Sequence, residues 1–357
     1  MINTYLALVV FILGAAIILR GNKAKNKYFV IVAVLALFVV LGFRDAYIIG
    51  GDSTSSYLHE FQHKENESWS DVWNSNENHK FFFMLMKLIY VLTNGNYQIY
   101  IIVISAFMMY SFGRFILNYS CSPVQSILYY FGLLQYTFMI SALKQAMAMA
   151  FLLFAFDAMM KKKFVRYLIF IFLASMFHFP SIVFLPAYFI VKIKMGSGYI
   201  FFLGAVLTIV YFFRDRIVDI MTDIYDTEMQ EHNIGFLGNK AIIMLVIVIA
   251  ALILRPPTEN DTLYVNLLSL TGVAIVIQTF ASYNNTFERL ADYYFQFSVV
   301  LIPLVFENVE LEKSYLSKRI QYIGKTLAPY AFCAFGIWRF LNVVSKDGNL
   351  SPYKFFF

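Results

Sequence analysis

The stretch GFRDAYIIGGDSTSSY (residues 42–57) carries the side chains best suited to binding chemistry. Arg44 and Asp45 follow an apolar run, and a Gly-Gly pair stands directly before Asp52. Glycine lets the backbone turn with positive φ and approach a ligand closely, and an arginine beside a helix N-terminus suits an anion such as phosphate. The two aspartates are candidate proton acceptors. A plain ion pair of Arg44 with Asp45 that ends the helix is the alternative interpretation.

Two further polar groups interrupt apolar sequence in the middle of the chain. Lys144 and Gln145 open a segment of otherwise apolar and small residues, and His178 stands just before the helix breaker Pro180. A charge at mid-bilayer costs roughly 2.5 to 3.5 kcal/mol on insertion scales, so such residues usually serve a purpose. The plainer alternatives are a Lys144 that snorkels to the membrane surface and a His178 that is satisfied at a helical hairpin.

Another polar group opens a late apolar segment, YNNTFERLADYYFQF (283–297). Arg289 lies in its first turns, close to Asp292 and Tyr293. An arginine that enters the membrane from the outer face is well placed to meet a lipid headgroup. Arg289 and Asp292 are at i,i+3 spacing, however, and can equally pair with each other.

Aromatic and histidine side chains mark the polar region that follows residue 43. Tyr57, Trp69 and Trp73 lie outside the apolar segments, where their rings can stack on the apolar faces of sugars. The histidines of the same region are predicted to be solvated surface residues: His59, His63 and His79.

The composition of the chain requires a membrane to position these groups. Of 357 residues, 60% are hydrophobic and 14% are charged, whereas soluble domains are about a quarter charged. Apolar runs close to the roughly 20 residues of a transmembrane helix recur throughout. We therefore predict an all-α polytopic integral membrane protein, a single transmembrane domain over residues 1–357 with about 12 transmembrane helices, in a range of about 10 to 13. The predicted spans are residues 2–19, 28–42, 97–117, 124–140, 142–160, 164–177, 179–191, 199–213, 239–254, 263–281, 290–306 and 327–343.

The basic residues orient these helices and argue against a nucleic-acid partner. The net charge of +6 is spread over short clusters such as RGNKAKNK (20–27) and KKKFVR (161–166), which should face the cytoplasm. The acid-rich residues 43–79 and 214–238 should then form extracytoplasmic loops. To keep this orientation, the segment 80–93 must be a peripheral or re-entrant helix, unless one of the shorter spans fails to cross.

This topology places polar groups from distant segments at the external face of the membrane. They are the turn with Arg44, Asp45 and Asp52, the start of the helix with Lys144 and Gln145, the end of the helix with His178, and the helix start at Arg289. The sequence therefore predicts that these groups converge there.

The sequence lacks the patterns of several common catalytic and metal sites. Cys121 and Cys333 lie in or beside apolar segments without a CxxC pattern, so we predict that they pack and form neither a disulfide nor a metal site. A Walker A loop, GxSxG, HExxH and a dinucleotide fingerprint are all missing from the sequence. No metal and no cofactor is therefore predicted.

The order and spacing of the polar residues resemble those of the EpsG/Wzy-like polysaccharide polymerases of bacterial envelopes. The resemblance runs from about residue 1 to residue 306 and is carried by four short motifs. They are GFRD…G.D…Y (Gly42, Phe43, Arg44, Asp45, Gly51, Asp52, Tyr57), Lys144 with Gln145, FH.PS (Phe177, His178, Ser181) and ERLADYY (Arg289, Tyr293, Tyr294). The family usually has Arg-Gln where this chain has Lys144-Gln145, which replaces a bidentate phosphate grip with a point charge. Its usual threonine after the aspartate is Ser53 here, which keeps the hydroxyl.

The resemblance implies a glycosyltransferase that polymerises oligosaccharide repeat units carried on undecaprenyl diphosphate, at the outer face of the bacterial inner membrane. Donor and acceptor would both be lipid-linked, and the product would be O-antigen, capsule or exopolysaccharide. Cations would stabilise the charge that develops on the leaving diphosphate, and a base would accept the proton of the attacking hydroxyl. The candidates for substrate binding are Arg44, Lys144, Gln145, Arg289, Tyr57 and Tyr293, and those for the base are Asp52, His178 and Asp45. No cofactor is implied, and a separate chain-length regulator is a further partner that the resemblance allows.

Three other functions stay open at this point. A ligase that moves a finished glycan onto another lipid would use the same donor and similar residues. A transporter or flippase of lipid-linked sugars predicts internal repeats and charges near the membrane midplane, whereas no clear repeat is visible and the charges gather at one face. A membrane O-acyltransferase would need a catalytic histidine deeper in the helix bundle.

Overall fold

A computed structural model describes residues 4–19, 21, 23–75, 78–192, 199–225, 238–254, 261–307, 322–323 and 326–357. Within these residues the chain forms 17 α-helices, and an isolated antiparallel bridge joins Arg44 to Phe355. The predicted all-α fold of an integral membrane protein is therefore confirmed. The chain divides into two compact units, Met1–Ile182 with Tyr330–Phe357 and Val183–Pro329.

The helices follow one another with short connections. In chain order they are α1 (Thr4–Leu19), α2 (Lys23–Gly42), α3 (Ser56–His63), α4 (Trp69–Ser75), α5 (Lys80–Thr93), α6 (Tyr97–Tyr119), α7 (Pro123–Gly132), α8 (Gln135–Ser141), α9 (Leu143–Met160), α10 (Phe164–Phe177), α11 (Ala187–Ile190), α12 (Tyr199–Tyr225), α13 (Asn239–Leu254), α14 (Thr262–Gln278), α15 (Asn285–Phe295), α16 (Ser298–Glu307) and α17 (Ala328–Lys346). Helix α5 coincides with the helix predicted over residues 80–93, and its peripheral or re-entrant position stays a prediction.

Several helices meet the length and composition of a membrane span. In the described chain, four segments do so: Lys25–Gly42, Tyr97–Tyr119, Leu143–Met160 and Thr262–Ser282. The bent pair α15 and α16, which turns by 46°, makes a fifth if it is one span. The shorter helices α1, α10 and α13 are also apolar. The total of about 12 crossings expected from apolar run lengths stays a prediction.

Three of the predicted spans are interrupted, and one of them is 290–306, where the bend between α15 and α16 falls. Within residues 124–140, Leu134 adopts a left-handed φ of 61° and separates α7 from α8. A left-handed residue cannot continue a right-handed helix, so the chain changes direction there. Within residues 179–191, the 3-10 helix Phe179–Phe184 precedes the short α11, because this segment contains two prolines that cannot donate a backbone hydrogen bond.

The helix that begins at Tyr199 extends past the predicted span 199–213 into the predicted extracytoplasmic loop 214–238, whose side of the membrane stays a prediction. Helix α12 continues to Tyr225, since apolar residues recur at helical spacing through this polar stretch. Residues 226–237, the rest of that predicted loop, lie outside the described chain.

The segment after α17 packs back onto the polar turn at residues 43–50. The backbone N–H of Asp45 donates to the carbonyl oxygen of Lys354 at 2.8 Å. The backbone N–H of Gly50 donates to the carbonyl oxygen of Asn349 at 3.0 Å. These bonds supply partners that the turn lacks on its own, so the C-terminal segment positions the turn.

Helix α9 lies in the core of the first unit, where it packs against α6 and α10. Small residues at Ala146, Ala148 and Ala150 are fully buried and let the neighbouring helices approach closely. Charged residues are confined to its two ends, Lys144 in the first turn and Asp157 in the last. The helix therefore presents these two charges at opposite ends of one rigid element.

Candidate functional site

Arg44 holds the polar turn together from inside. Its side chain is 1% exposed, and its guanidinium donates to the carbonyl oxygens of Ile49 (3.1 Å), Ile140 (2.9 Å) and Leu41. A longer contact of 3.4 Å reaches Ser53 Oγ. Hydrogen bonds from charged groups are worth about 1.5 to 3 kcal/mol each, so this network is costly to open. Arg44 thus supports the turn, and a direct contact with diphosphate, as the sequence predicts, would require the network to break.

Asp45 has partners other than Arg44. One carboxylate oxygen accepts from the backbone N–H of Tyr47 at 3.1 Å, which tightens the turn. The other lies 3.8 Å from Lys354 Nζ in the C-terminal segment. Arg44 and Asp45 therefore have different partners among the described residues. They do not form the ion pair that was the alternative interpretation.

Asp52 lies on the one-turn 3-10 helix Gly51–Ser53 and is exposed. Gly50 and Gly51 have φ values of 146° and 54°, which confirms the predicted turn with positive φ. A Cβ added to Gly50 would overlap Ser53 Oγ, so only glycine fits there. Within the described chain the Asp52 carboxylate has no hydrogen bond and no ion pair. It is open to a ligand, as a proton acceptor must be.

Lys144 places its ammonium among aromatic rings at the start of α9. Nζ lies 4.4 Å from the ring centre of Phe83, 5.5 Å from that of Tyr57 and 5.7 Å from that of Phe82. Cation–π contacts of this kind hold a cation without neutralising its charge. No carboxylate of the described residues lies within ion-pair distance of Lys144. The ammonium is therefore enclosed rather than extended into water, while the next residue, Gln145, is buried in the core at 2% exposure.

His178 follows the last residue of α10 and stacks on a second histidine, His79. The two rings are parallel within 6°, and their centres are 5.2 Å apart. Nδ1 of His79 is buried and has no hydrogen-bond partner in the described part of the chain. Burial, together with the charge of Lys144, lowers the pKa of His79 to about 4, so this ring is neutral at pH 7.

The prediction that His79 is a solvated surface residue is therefore wrong. Nothing in the neighbouring sequence marks it, because its ring partner comes from a helix far along the chain. The same prediction for His59 and His63 is confirmed, since both are exposed and their side chains contact each other, with 3.1 Å between their Nε2 atoms.

Two buried lysines near Lys144 connect the end of α3 to α5. Lys64 is fully buried, forms ion pairs with Glu67 and Glu60, and lies 5.1 Å from the ring centre of Phe83. Lys87 donates from Nζ to the carbonyl oxygen of Lys64 at 2.5 Å. Lys87 is buried, and its ammonium caps the end of α3 from the buried side of α5.

Arg289 and Tyr293 belong to α15 in the second unit. Arg289 is exposed, whereas Tyr293 is fully buried. Asp292 forms a 2.6 Å ion pair with Lys240, which also lies 3.4 Å from Glu288. Lys240 therefore forms the ion pair with Asp292 that the sequence spacing allowed for Arg289. Tyr57, Lys144 and His178 lie in the first unit, so their predicted convergence with Arg289 stays a prediction.

Together these observations define a helical integral membrane protein. A lysine, two histidines and an exposed aspartate lie at or near the ends of its helices. No group of three or more possible metal ligands occurs among the described residues. The model of the EpsG family matches residues 27–355, nearly the whole chain, and the chain belongs to this family of Wzy-like polysaccharide polymerases. Comparison with curated proteins and with solved structures gave no match. The family match includes the C-terminal segment that packs on the polar turn.

Proposed function

We propose that this EpsG-family protein joins oligosaccharide repeat units carried on undecaprenyl diphosphate, at the outer face of the bacterial inner membrane. The growing chain leaves its lipid diphosphate and is transferred to a sugar hydroxyl of the incoming lipid-linked unit. Membership of a polysaccharide polymerase family and the helical membrane fold support this class of reaction. The observation that carries the proposal is the Lys144 ammonium, which is enclosed by aromatic rings and has no carboxylate within ion-pair distance among the described residues.

The proposed role of Lys144 is to bind the diphosphate as it leaves. Glycosyl transfer breaks the bond between the anomeric carbon and a diphosphate oxygen, which gains negative charge. A cation already fixed in low-dielectric surroundings stabilises that charge without reorganisation. Tyr57, whose ring faces the same ammonium, is positioned to contact the sugar next to the diphosphate.

We propose that one of the remaining predicted binding residues contacts the substrate and that the others position the turn and the helices. Arg44 and Gln145 are buried and are proposed to position the turn and the start of α9. In the second unit, Arg289 is exposed and is proposed to meet a lipid-linked diphosphate, whereas the buried Tyr293 supports the helix that carries it.

The base that accepts the hydroxyl proton is one of three residues. Asp52 is exposed and open, and His178 lies beside a ring that stays neutral. Asp45 already accepts a backbone hydrogen bond and faces Lys354. These contacts favour Asp52 and His178 over Asp45.

The basic residues support an outer-face position for the site. The cluster KKKFVR (161–166) begins where α9 ends, and Lys144 lies in the first turn of the same helix. Basic clusters favour the cytoplasmic side of a membrane, so Lys144 would face the outside.

Deletion of the gene tests the reaction class. A strain without the polymerase should carry single repeat units on the lipid anchor, whereas loss of a ligase or a flippase should leave none. Complementation with wild-type protein should restore long chains, and His178→Ala or Arg289→Ala should not, at equal amounts of protein in the membrane. Chains of normal length in the deletion strain would refute the proposed function.

A further inference from the structure

His79 and His178 form a ring pair at the edge of the Lys144 site. His79 immediately precedes α5, and His178 immediately follows α10, so the two helix ends bring the rings together. Their planes differ by 6° and their centres are 5.2 Å apart, which is a face-to-face arrangement. Packing of α5 on α10 sets this geometry, and nothing in either local sequence does.

The surroundings of His79 keep its ring neutral. Nδ1 is buried without a hydrogen-bond partner among the described residues. A second proton on the ring is opposed by burial and by Lys144, the charged residue of α9 near the ring. The next residue along α5, Lys80, directs its ammonium to the ring of Trp73 at 4.7 Å.

We propose that His79 is a positioning residue for His178, and that the stacked pair makes His178 the proton acceptor of the reaction. This inference rests on the proposed function. As the acceptor hydroxyl oxygen forms its bond to the anomeric carbon, the bond from that carbon to the diphosphate oxygen breaks. The electron pair leaves with the diphosphate beside Lys144, and the hydroxyl proton moves to His178. The neutral face of His79 then lies against the imidazolium that forms, and a π face next to a cation stabilises it.

The pair also explains why His178 rather than His79 takes the proton. A base must gain a positive charge in the course of the reaction, and the site of His79 opposes that charge. A ring that stays neutral can instead hold the plane of its neighbour fixed. His79 thus acts through His178 and does not itself touch the reacting atoms.

Two substitutions of His79 separate stacking from other roles. His79→Phe keeps a flat ring and should retain the rate within about threefold, whereas His79→Ala should lower kcat about tenfold with little change in the KM for the acceptor. The measurement is elongation of lipid-linked repeat units by the purified protein in vesicles, over a range of acceptor concentrations. The matched controls are His59→Ala and His63→Ala, which remove exposed histidines and should not change the rate.

The outcomes distinguish this inference from the proposed function. Wild-type rates in His79→Ala, with a large loss in Lys144→Ala, would overturn the inference alone. So would a His79→Phe variant as slow as His79→Ala, because stacking could then not be the role. If His79→Ala does not reach the membrane, His79→Gln replaces it and should be slow, since it lacks the ring. A deletion strain that still makes long chains overturns the proposed function and this inference together.

Discussion

The two ends of helix α9 hold their charges in opposite ways. At the C-terminal end, the Asp157 side chain is 3% exposed and forms ion pairs with Arg114 at 3.0 Å and Lys161 at 2.9 Å. The hydroxyl of Tyr119 adds a hydrogen bond of 2.7 Å. At the N-terminal end, Lys144 faces aromatic rings and has no carboxylate within ion-pair distance among the described residues.

We propose that this difference separates a structural charge from a functional one. A buried carboxylate with several donors is satisfied, so the Asp157 network joins α6 to α9. The charge of Glu60 acts on the partly buried Lys144 only from beyond ion-pair distance. Partly buried charges of this kind cost stability and cluster at functional sites, where a ligand can supply a closer opposite charge. Lys144 is therefore expected to matter for turnover, and Asp157 for stability.

Removal of the Lys144 charge should have the largest effect. Lys144→Ala should slow chain elongation about a thousandfold, because the leaving diphosphate loses its fixed cation, while Lys144→Arg should keep part of the rate. Elongation of lipid-linked repeat units by purified protein measures this. Lys161→Ala is the matched control, since its half-exposed ammonium lies at the other end of α9 and its loss should change the rate by about twofold at most. Equal losses in the two variants would remove the distinction between the two ends.

Removal of Asp157 should affect stability instead. Asp157→Ala should destabilise the protein by about 2 kcal/mol, below the usual cost of breaking a buried pair because Lys161 is half exposed. Thermal unfolding in detergent measures this, and the elongation rate per folded molecule should stay near that of the wild type. A large loss of rate at unchanged stability would reverse the roles assigned to the two ends.

The turn beside the start of α9 should tolerate no side chain at Gly50. Gly50→Ala should cost about 2 kcal/mol of stability, because a Cβ at this φ of 146° would be strained and would overlap Ser53 Oγ. Thermal unfolding again provides the measurement. Gly204→Ala is the control, since no atom lies within 4 Å of an added Cβ there. Equal stability of the two variants would show that the turn can rearrange.

The smallest effect is expected at Asp52. If His178 is the base, Asp52 contributes hydrogen bonds to the acceptor sugar, and Asp52→Asn should lower the elongation rate only about fivefold. Comparison with His178→Ala in the same assay identifies which of the two residues accepts the hydroxyl proton. A greater loss in Asp52→Asn than in His178→Ala would make Asp52 the proton acceptor.

Local features of the fold are readable from the sequence. Apolar run lengths predict residues 164–177 and 239–254, and the structure has helices with the same bounds. The Gly-Gly pair before Asp52 predicts a turn with positive φ, which both glycines adopt. Apolar run length predicts one continuous helix over 124–140, but the left-handed Leu134 breaks it. A leucine gives no local sequence signal for that conformation.

The sequence by itself thus determined the membrane class, many helix bounds and the polar residues from which the site is chosen. These depend on composition, apolar run length and glycine stereochemistry, which act over a few neighbouring residues. Only the tertiary structure decided the partners of those residues: Arg44 turned inward to carbonyl oxygens, and His79 stacked on His178. It also left Lys144 without a carboxylate at ion-pair distance among the described residues and Asp157 paired, although both are charges at the ends of one helix. Partner choice depends on which distant elements pack together, and no local pattern encodes that packing.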